Sequence, residues 1–383
     1  IQTFGNGGDN RKGRSGMATK DEDFVSDLFI ASTHTPILCF TSHGMVHRLK
    51  VWQLPLGNPQ SRGKALVNMM RLDAGENVSV ILRMPEDPAV IDRLDIMFAT
   101  SHGNVRRNKL VDFKNIRANG LIAMKLEEAG EKLVDVKICA ADEDIVLATQ
   151  KGKAIRFAVT DIRVFAGRTS TGVRGVRLAQ GDAVISMSVL NHVEVTAEER
   201  AAYLKMAAKI RGENTEELEG TESAVFADSA DDGDETASLG SVLVQLSPER
   251  FADLQSREQF LLTVSSRGFG KRTSAYEYRL TGRGGSGIVN MGLSAKNGDV
   301  VATFPVTDAH QIMLVSDGGQ LIRTGVRDVR ITGRSAQGVT LFRVSGDERV
   351  ISVAWLKEDT DPNANGGPED GPDHEGLESP DVT

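Results

Sequence analysis

"DIVLATQKGKAIRFA", residues 144–158, reads as an apolar strand, a turn at Gly152 and a second strand carrying Arg156. The pattern returns four more times. The first strands are "ILCFTSHG" (37–44), "DIMFATSHG" (95–103), "QFLLTVSSRG" (259–268) and "QIMLVSDGG" (311–319). The second strands are "GMVHRLK", "GNVRRNK", "GFGKRTS" and "GQLIRTG", beginning at Gly44, Gly103, Gly268 and Gly319. A second glycine follows 17 to 20 residues on, at Gly63, Gly120, Gly172, Gly287 and Gly338. A glycine followed by an acid comes third: Gly75-Glu76, Gly130-Glu131, Gly181-Asp182, Gly298-Asp299 and Gly346-Asp347. One more apolar strand closes each unit.

Four short strands per unit of about 50 residues, joined at glycines, predict an all-β radial repeat rather than a solenoid of single-strand coils. The units fall at 37–84, 94–140, 143–190, 258–306 and 310–356. Residues 13–32 resemble the second half of a further unit, with Gly16 in the place of Gly63, so the expectation is six blades. The repeat domain then covers residues 1–357, interrupted by an insertion at 191–258 and followed by a tail at 358–383. In the insertion, Thr196 and Glu199 form a capping box ahead of "RAAYLKMAAKI", which predicts one helix. The stretch "ENTEELEGTESAVFADSADDGDETASLG" (213–240) and the tail are too acidic and too poor in large apolar residues to pack, which predicts disorder.

The 383 residues carry a formal net charge of −8, but the charge is unevenly placed. Residues 191–239 hold 13 acids and 4 bases, and residues 358–383 hold 9 acids and no base. The remaining body is therefore basic, at +10. No apolar run approaches the roughly 18 residues that span a bilayer, and the N-terminal residues hold no signal-peptide core, so the reading is cytoplasmic, with no membrane. Cys39 and Cys139 lie in apolar strands and read as buried thiols.

Residues just past a β-turn are expected at the rim of a blade. Arg48 and Lys50, Arg106, Arg107 and Lys109, Lys153 and Arg156, Lys271 and Arg272, and Arg323 then recur at one radial height. Arg62, Lys64, Arg117, Arg163, Arg168, Arg174, Arg279, Arg283, Arg327, Arg330 and Arg334 follow in the adjoining loops. A basic belt suits a long, evenly charged partner, and duplex DNA carries one charge per ~1.7 Å of axis. No recognition helix or metal finger is present, so phosphate contacts rather than base readout are expected.

The segments "GMATKDEDFV" (16–25), "GNVRRNKLVDF" (103–113), "RANGLIAMKL" (117–126), "GKAIRFAVTDIRVFAGRTSTGVRGVRL" (152–178) and "GFGKRTSAYEYR" (268–279) resemble the C-terminal domain of the DNA gyrase A subunit. The resemblance runs from about Gly13 to Lys357. It implies a six-bladed β-pinwheel that wraps duplex DNA on its rim. It also implies partnership with the remaining domains of the gyrase A subunit, and with the gyrase B subunit. Those other domains use ATP and Mg to introduce negative supercoils. The family's heptapeptide, Gln-(Arg/Lys)-Arg-Gly-Gly-(Arg/Lys)-Gly, meets "GGDNRKG" at 7–13, where only Lys12 and Gly13 match; Arg14 follows directly. An Arg-Gly-Gly core survives in "GRGGSG" at 282–287.

Neither a catalytic constellation nor a cofactor or metal site is expected within the chain. Its tyrosines, Tyr203, Tyr276 and Tyr278, read as structural, and the resemblance places the DNA-cleaving tyrosine in a separate domain. "SSRGFGKR" is followed by no Gly-Lys-Ser/Thr and no helix, so it is no phosphate loop. Two other readings are the corresponding domain of topoisomerase IV and a propeller that serves as a protein scaffold. The domain is expected to be monomeric.

Overall fold

The computed structural model describes residues 31–57, 63–117, 119–212 and 245–357. Unit one holds β1 (Pro36–Thr41), β2 (Met45–Lys50) and β3 (Val78–Arg83). Unit two holds β4 (Asp95–Thr100), β5 (Asn104–Lys109), β6 (Leu121–Ile122) and β7 (Leu133–Cys139). In unit three these become β8 (Glu143–Thr149), β9 (Lys153–Ala158), β10 (Val173–Arg174) and β11 (Val184–Asn191). Unit four has β12 (Phe260–Ser265), β13 (Phe269–Ser274), β14 (Ile288–Val289) and β15 (Val300–Val306). Unit five has β16 (His310–Ser316), β17 (Leu321–Gly325), β18 (Val339–Thr340) and β19 (Val350–Lys357). The unit boundaries match the glycine register read from the sequence. The sixth unit expected at 13–32 lies almost wholly outside the described residues, as do Lys12, Arg14, Arg62 and the tail.

Each hairpin turns the same way for the same reason. Gly152, at φ 77°, takes a left-handed conformation that glycine adopts at no steric cost. The Thr149 hydroxyl accepts from the Lys153 amide at 3.2 Å, and Thr41, Thr100 and Ser316 play that part in their own units. The glycine-acid pairs serve these turns too: Asp182 accepts from the Lys151 amide at 2.9 Å, and Glu131 from the Asn104 side-chain amide at 3.1 Å.

The short strands do not stay in their own units. β6 pairs with β2, β10 with β5, β14 with β9 and β18 with β13, each antiparallel and each handed back to the preceding unit. Four sheets therefore have four strands from two units, and the fifth, β17-β16-β19, has three among the described residues. The second glycine makes this exchange possible: a Cβ on Gly172 would lie 2.2 Å from the Val105 carbonyl oxygen. The closing strands β3, β7, β11, β15 and β19 pack on one another in sequence, so they line the inside of the row. The exchanged strands lie on the outside.

Apolar cores fill the seams between sheets. Leu38 and Phe40 meet Phe98 and Phe113 between the first two sheets, and Met97 and Ala99 meet Ile145 and Leu147 in the next. Cys39 and Cys139 are buried free thiols, and burial pushes both up to about 12. The insertion bears the expected helix, Ala197–Arg211, with the Thr196–Glu199 capping box, and a second helix, Pro248–Arg257, that the sequence reading missed. "SPER" at 247–250 is its start signal: the Ser247 hydroxyl accepts from the Arg250 amide at 3.2 Å. The two helices dock on unit four through Tyr276, whose ring lies 5.2 Å from that of Tyr203.

Candidate nucleic-acid interface

In units two to four, the arginine four residues after the turn glycine is not at the surface. Arg107 is 6% exposed; its Nε donates to Asp95 at 2.7 Å, and its Nη1 donates to the carbonyls of Val159 and Ile162 at 3.1 and 3.2 Å. Those carbonyls flank the 3-10 turn after β9, in the next unit. Arg156 repeats the arrangement with Asp144 at 2.9 Å and the Ala275 carbonyl of the following unit at 2.9 Å. Arg272 donates to the Val329 carbonyl at 2.7 Å and pairs with Asp308. These arginines staple each sheet to the next. A guanidinium buried to this extent, with most of its five donors held by a carboxylate and backbone carbonyls, is turned into the seam and away from any phosphate outside.

The residue before it follows suit. Arg106 is fully buried, donating to the carbonyls of Ala123 and, at 2.7 Å, Ser170. Burial, with Arg168 nearby, pulls its pKa down to about 10. Lys271, also fully buried, donates to the carbonyls of Gly333 at 2.7 Å and Arg334 at 2.5 Å. Arg334 is buried as well and reaches the Val289 carbonyl at 3.0 Å. The expectation of a solvent-facing rim position is thus corrected for Arg106, Arg107, Arg156, Lys271, Arg272 and Arg334. In units one to four the short strand of the following unit covers the second strand, which sets the side chains of β5, β9 and β13 in the seams between units.

The other candidates separate by exposure. Arg48, Lys50, Lys153, Arg168 and Arg279 are half-buried, while Lys64, Lys109, Arg117, Arg174, Arg283 and Arg323 are exposed. Several are engaged: Lys109 bridges Asp95 at 2.8 Å, Arg168 donates to the Asp112 carbonyl at 2.8 Å, and Arg283 to that of Asp161 at 3.2 Å. Arg117 and Arg174 face solvent without a carboxylate partner among the described residues.

A cleaner repeat lies eleven residues after the turn glycine. Lys114, Arg163, Arg279 and Arg330 occupy it in units two to five, just past each 3-10 turn. Lys114, Arg163 and Arg330 are exposed, and no carboxylate pairs with any of the three among the described residues. The Arg163 guanidinium rests 4.1 Å from the centre of the Phe165 ring, which holds it without neutralising it. Lys114 was missed because it follows no glycine; counting from Gly103 would have found it. The four side chains place one cation in each of units two to five along the outer edge. Among the described residues no group of three or more His, Cys, Asp or Glu is placed to hold a metal. No helix there is long and apolar enough to cross a membrane.

The model of a family described as "DNA gyrase C-terminal domain, beta-propeller" matches residues 10–32, 35–82, 94–140, 143–191, 259–307 and 310–354. The segments repeat the five observed units and add the sixth expected near the N-terminus. The DNA gyrase A subunit of Granulibacter bethesdensis is 48% identical over 358 residues, which is 93% of this chain and 37% of that protein. The chain thus spans a little over a third of that relative. In fold it is similar to a solved C-terminal domain of DNA topoisomerase IV (TM-score 0.64, 19% identity, 89% of this chain and 85% of that one). It is similar also to a solved DNA gyrase A C-terminal domain (TM-score 0.58, 19% identity, 89% and 92%). At that identity the two structures speak for the fold alone; the six matched segments, spanning more than half of the sequence, place the chain in the DNA gyrase C-terminal domain family of β-propellers.

Proposed function

We propose that the chain binds duplex DNA through phosphate contacts along its outer edge and bends it around the row of sheets. The observation that carries this reading is the cation repeated in units two to five at Lys114, Arg163, Arg279 and Arg330, with Lys114, Arg163 and Arg330 exposed. A spaced row of charges meets a continuous row of phosphates with little regard to sequence, because backbone contacts position a protein without reading bases. Bending costs on the order of 1–6 kcal/mol for 40–90°, so contacts on several sheets must act together. In the longer protein, with the other A-subunit domains and the gyrase B subunit, the bent segment is the one passed through the break when ATP is used with Mg to introduce negative supercoils. The 48% identity to a gyrase A subunit favours this over the topoisomerase IV counterpart. The site uses no cofactor of its own.

Two measurements on the chain test the reading. Duplex affinity, followed by anisotropy, is expected to fall linearly on a log–log salt plot, with a slope of about 0.9 per phosphate neutralised. Relaxed circular DNA closed in the presence of the chain is expected to change linking number in proportion to bound protein. Tight binding with no change in linking number would leave a scaffold or a simple DNA-binding surface.

A further inference from the structure

The residue after three of the four rim cations is an aliphatic that the fold leaves at least partly exposed. Val164 follows Arg163 and is 39% exposed, and Leu280 follows Arg279 and is 46% exposed. Ile331 follows Arg330 and is half-buried, while Leu56 holds the same position in unit one and is 80% exposed. The backbone geometry is shared: Val164, Leu280 and Ile331 each form a parallel bridge to a staple arginine of the preceding unit, Arg107, Arg156 and Arg272. In unit two the position is Asn115, exposed on the same edge and outside these three bridges.

A single exposed aliphatic needs no explanation, but recurrence at one position beside a cation does. The DNA backbone alternates a phosphate anion with a deoxyribose ring whose faces are largely apolar. A cation followed by an aliphatic on an extended segment matches that alternation. The match occurs at three consecutive seams, where DNA on the outer edge would cross from sheet to sheet.

We propose that Val164, Leu280 and Ile331 pack against deoxyribose rings of duplex DNA while Arg163, Arg279 and Arg330 hold the flanking phosphates. The inference rests on the rim-binding reading and adds an uncharged component to it. The cations set the salt dependence; the aliphatics set how closely the duplex follows the edge. An apolar contact releases no counterion, so its removal leaves the salt slope untouched.

The test compares two triple variants of the chain. Val164→Thr/Leu280→Thr/Ile331→Thr is expected to weaken duplex binding several-fold at every salt concentration with an unchanged slope, and to reduce the linking-number change per bound protein. Arg163→Gln/Arg279→Gln/Arg330→Gln is expected to lower the slope by about 0.9 for each phosphate no longer neutralised. Val111→Thr, at a 38% exposed edge position outside the repeat, is the control and is expected to change neither. The single variant Leu280→Thr carries the test if the triple melts early. If the aliphatic variants bind and bend DNA as the parent does, the inference is wrong while rim binding stands. If the parent itself shows no salt-dependent duplex binding, the rim reading has failed.

Discussion

Arg107 and Arg163 carry the same charge, and their surroundings give them different work. Arg107 lies beside an Asp95 that is 1% exposed, so truncation leaves that buried carboxylate with Lys109 as its remaining cation and strands two carbonyls. Removing one partner of a buried pair typically costs about 3–5 kcal/mol. Arg107→Ala should lose about that much in urea unfolding, whereas Arg163→Ala should stay within about 0.5 kcal/mol. Comparable losses would mean that staple and rim positions are not distinct. Lys271 adds a pH dependence. Burial, opposed by Glu277, brings it from the usual 10.5 to about 7. Between those values the unfolded chain holds the proton more tightly than the folded one, so stability should climb as pH rises from about 7 towards 10.5 and stay level below 7. Lys271→Met should flatten that climb. Parallel pH profiles of melting temperature for the two proteins would exclude Lys271 as its source.

Strand exchange is tested at the turn glycines. Gly268 and Gly319 share the left-handed conformation, at φ 76° and 77°. A Cβ on Gly268 would lie 2.0 Å from the Phe342 carbonyl oxygen, just past β18, whereas on Gly319 it would meet nothing within 4 Å. Gly319→Ala should therefore cost only the left-handed strain, about 1–2 kcal/mol. Gly268→Ala should cost visibly more, because it also forces β18 away from β13. Equal losses on thermal unfolding would mean that the exchanged strand yields freely. The glycines also mark what the sequence could tell. Turns that demand left-handed backbone leave glycine at fixed spacing, so unit boundaries were readable to within a few residues. The exchange left no comparable mark, since a two-residue strand such as Leu121–Ile122 has no period of its own and pairs with residues far back in the chain. The buried arginines were misread for a related reason: a cation past a turn is ordinarily solvated. Their signal was an aspartate twelve residues upstream, Asp95 for Arg107 and Asp144 for Arg156.

At the scale of the whole molecule, charge is divided between a body of +10 and two acidic stretches of −9 each. The second, residues 358–383, lies outside the described residues; its charge and its attachment after β19 are enough to give it a role. A polyanion tethered to a surface that bears a cation on each of several sheets is held at high effective concentration near it. If the rim binds DNA as proposed, the tail is expected to compete with DNA phosphates for the same cations. Screening sets the range: the Debye length is about 10 Å at 0.1 M salt and about 3 Å at 1 M. Removing residues 358–383 should therefore tighten duplex binding at low salt, with the gain shrinking as salt rises. It should also steepen the log–log salt slope, because DNA would then displace small counterions rather than carboxylates. An affinity unchanged by the truncation at every salt concentration would show that the tail does not reach the rim, and would leave the cations at Lys114, Arg163 and Arg330 without an intramolecular competitor at that end of the chain.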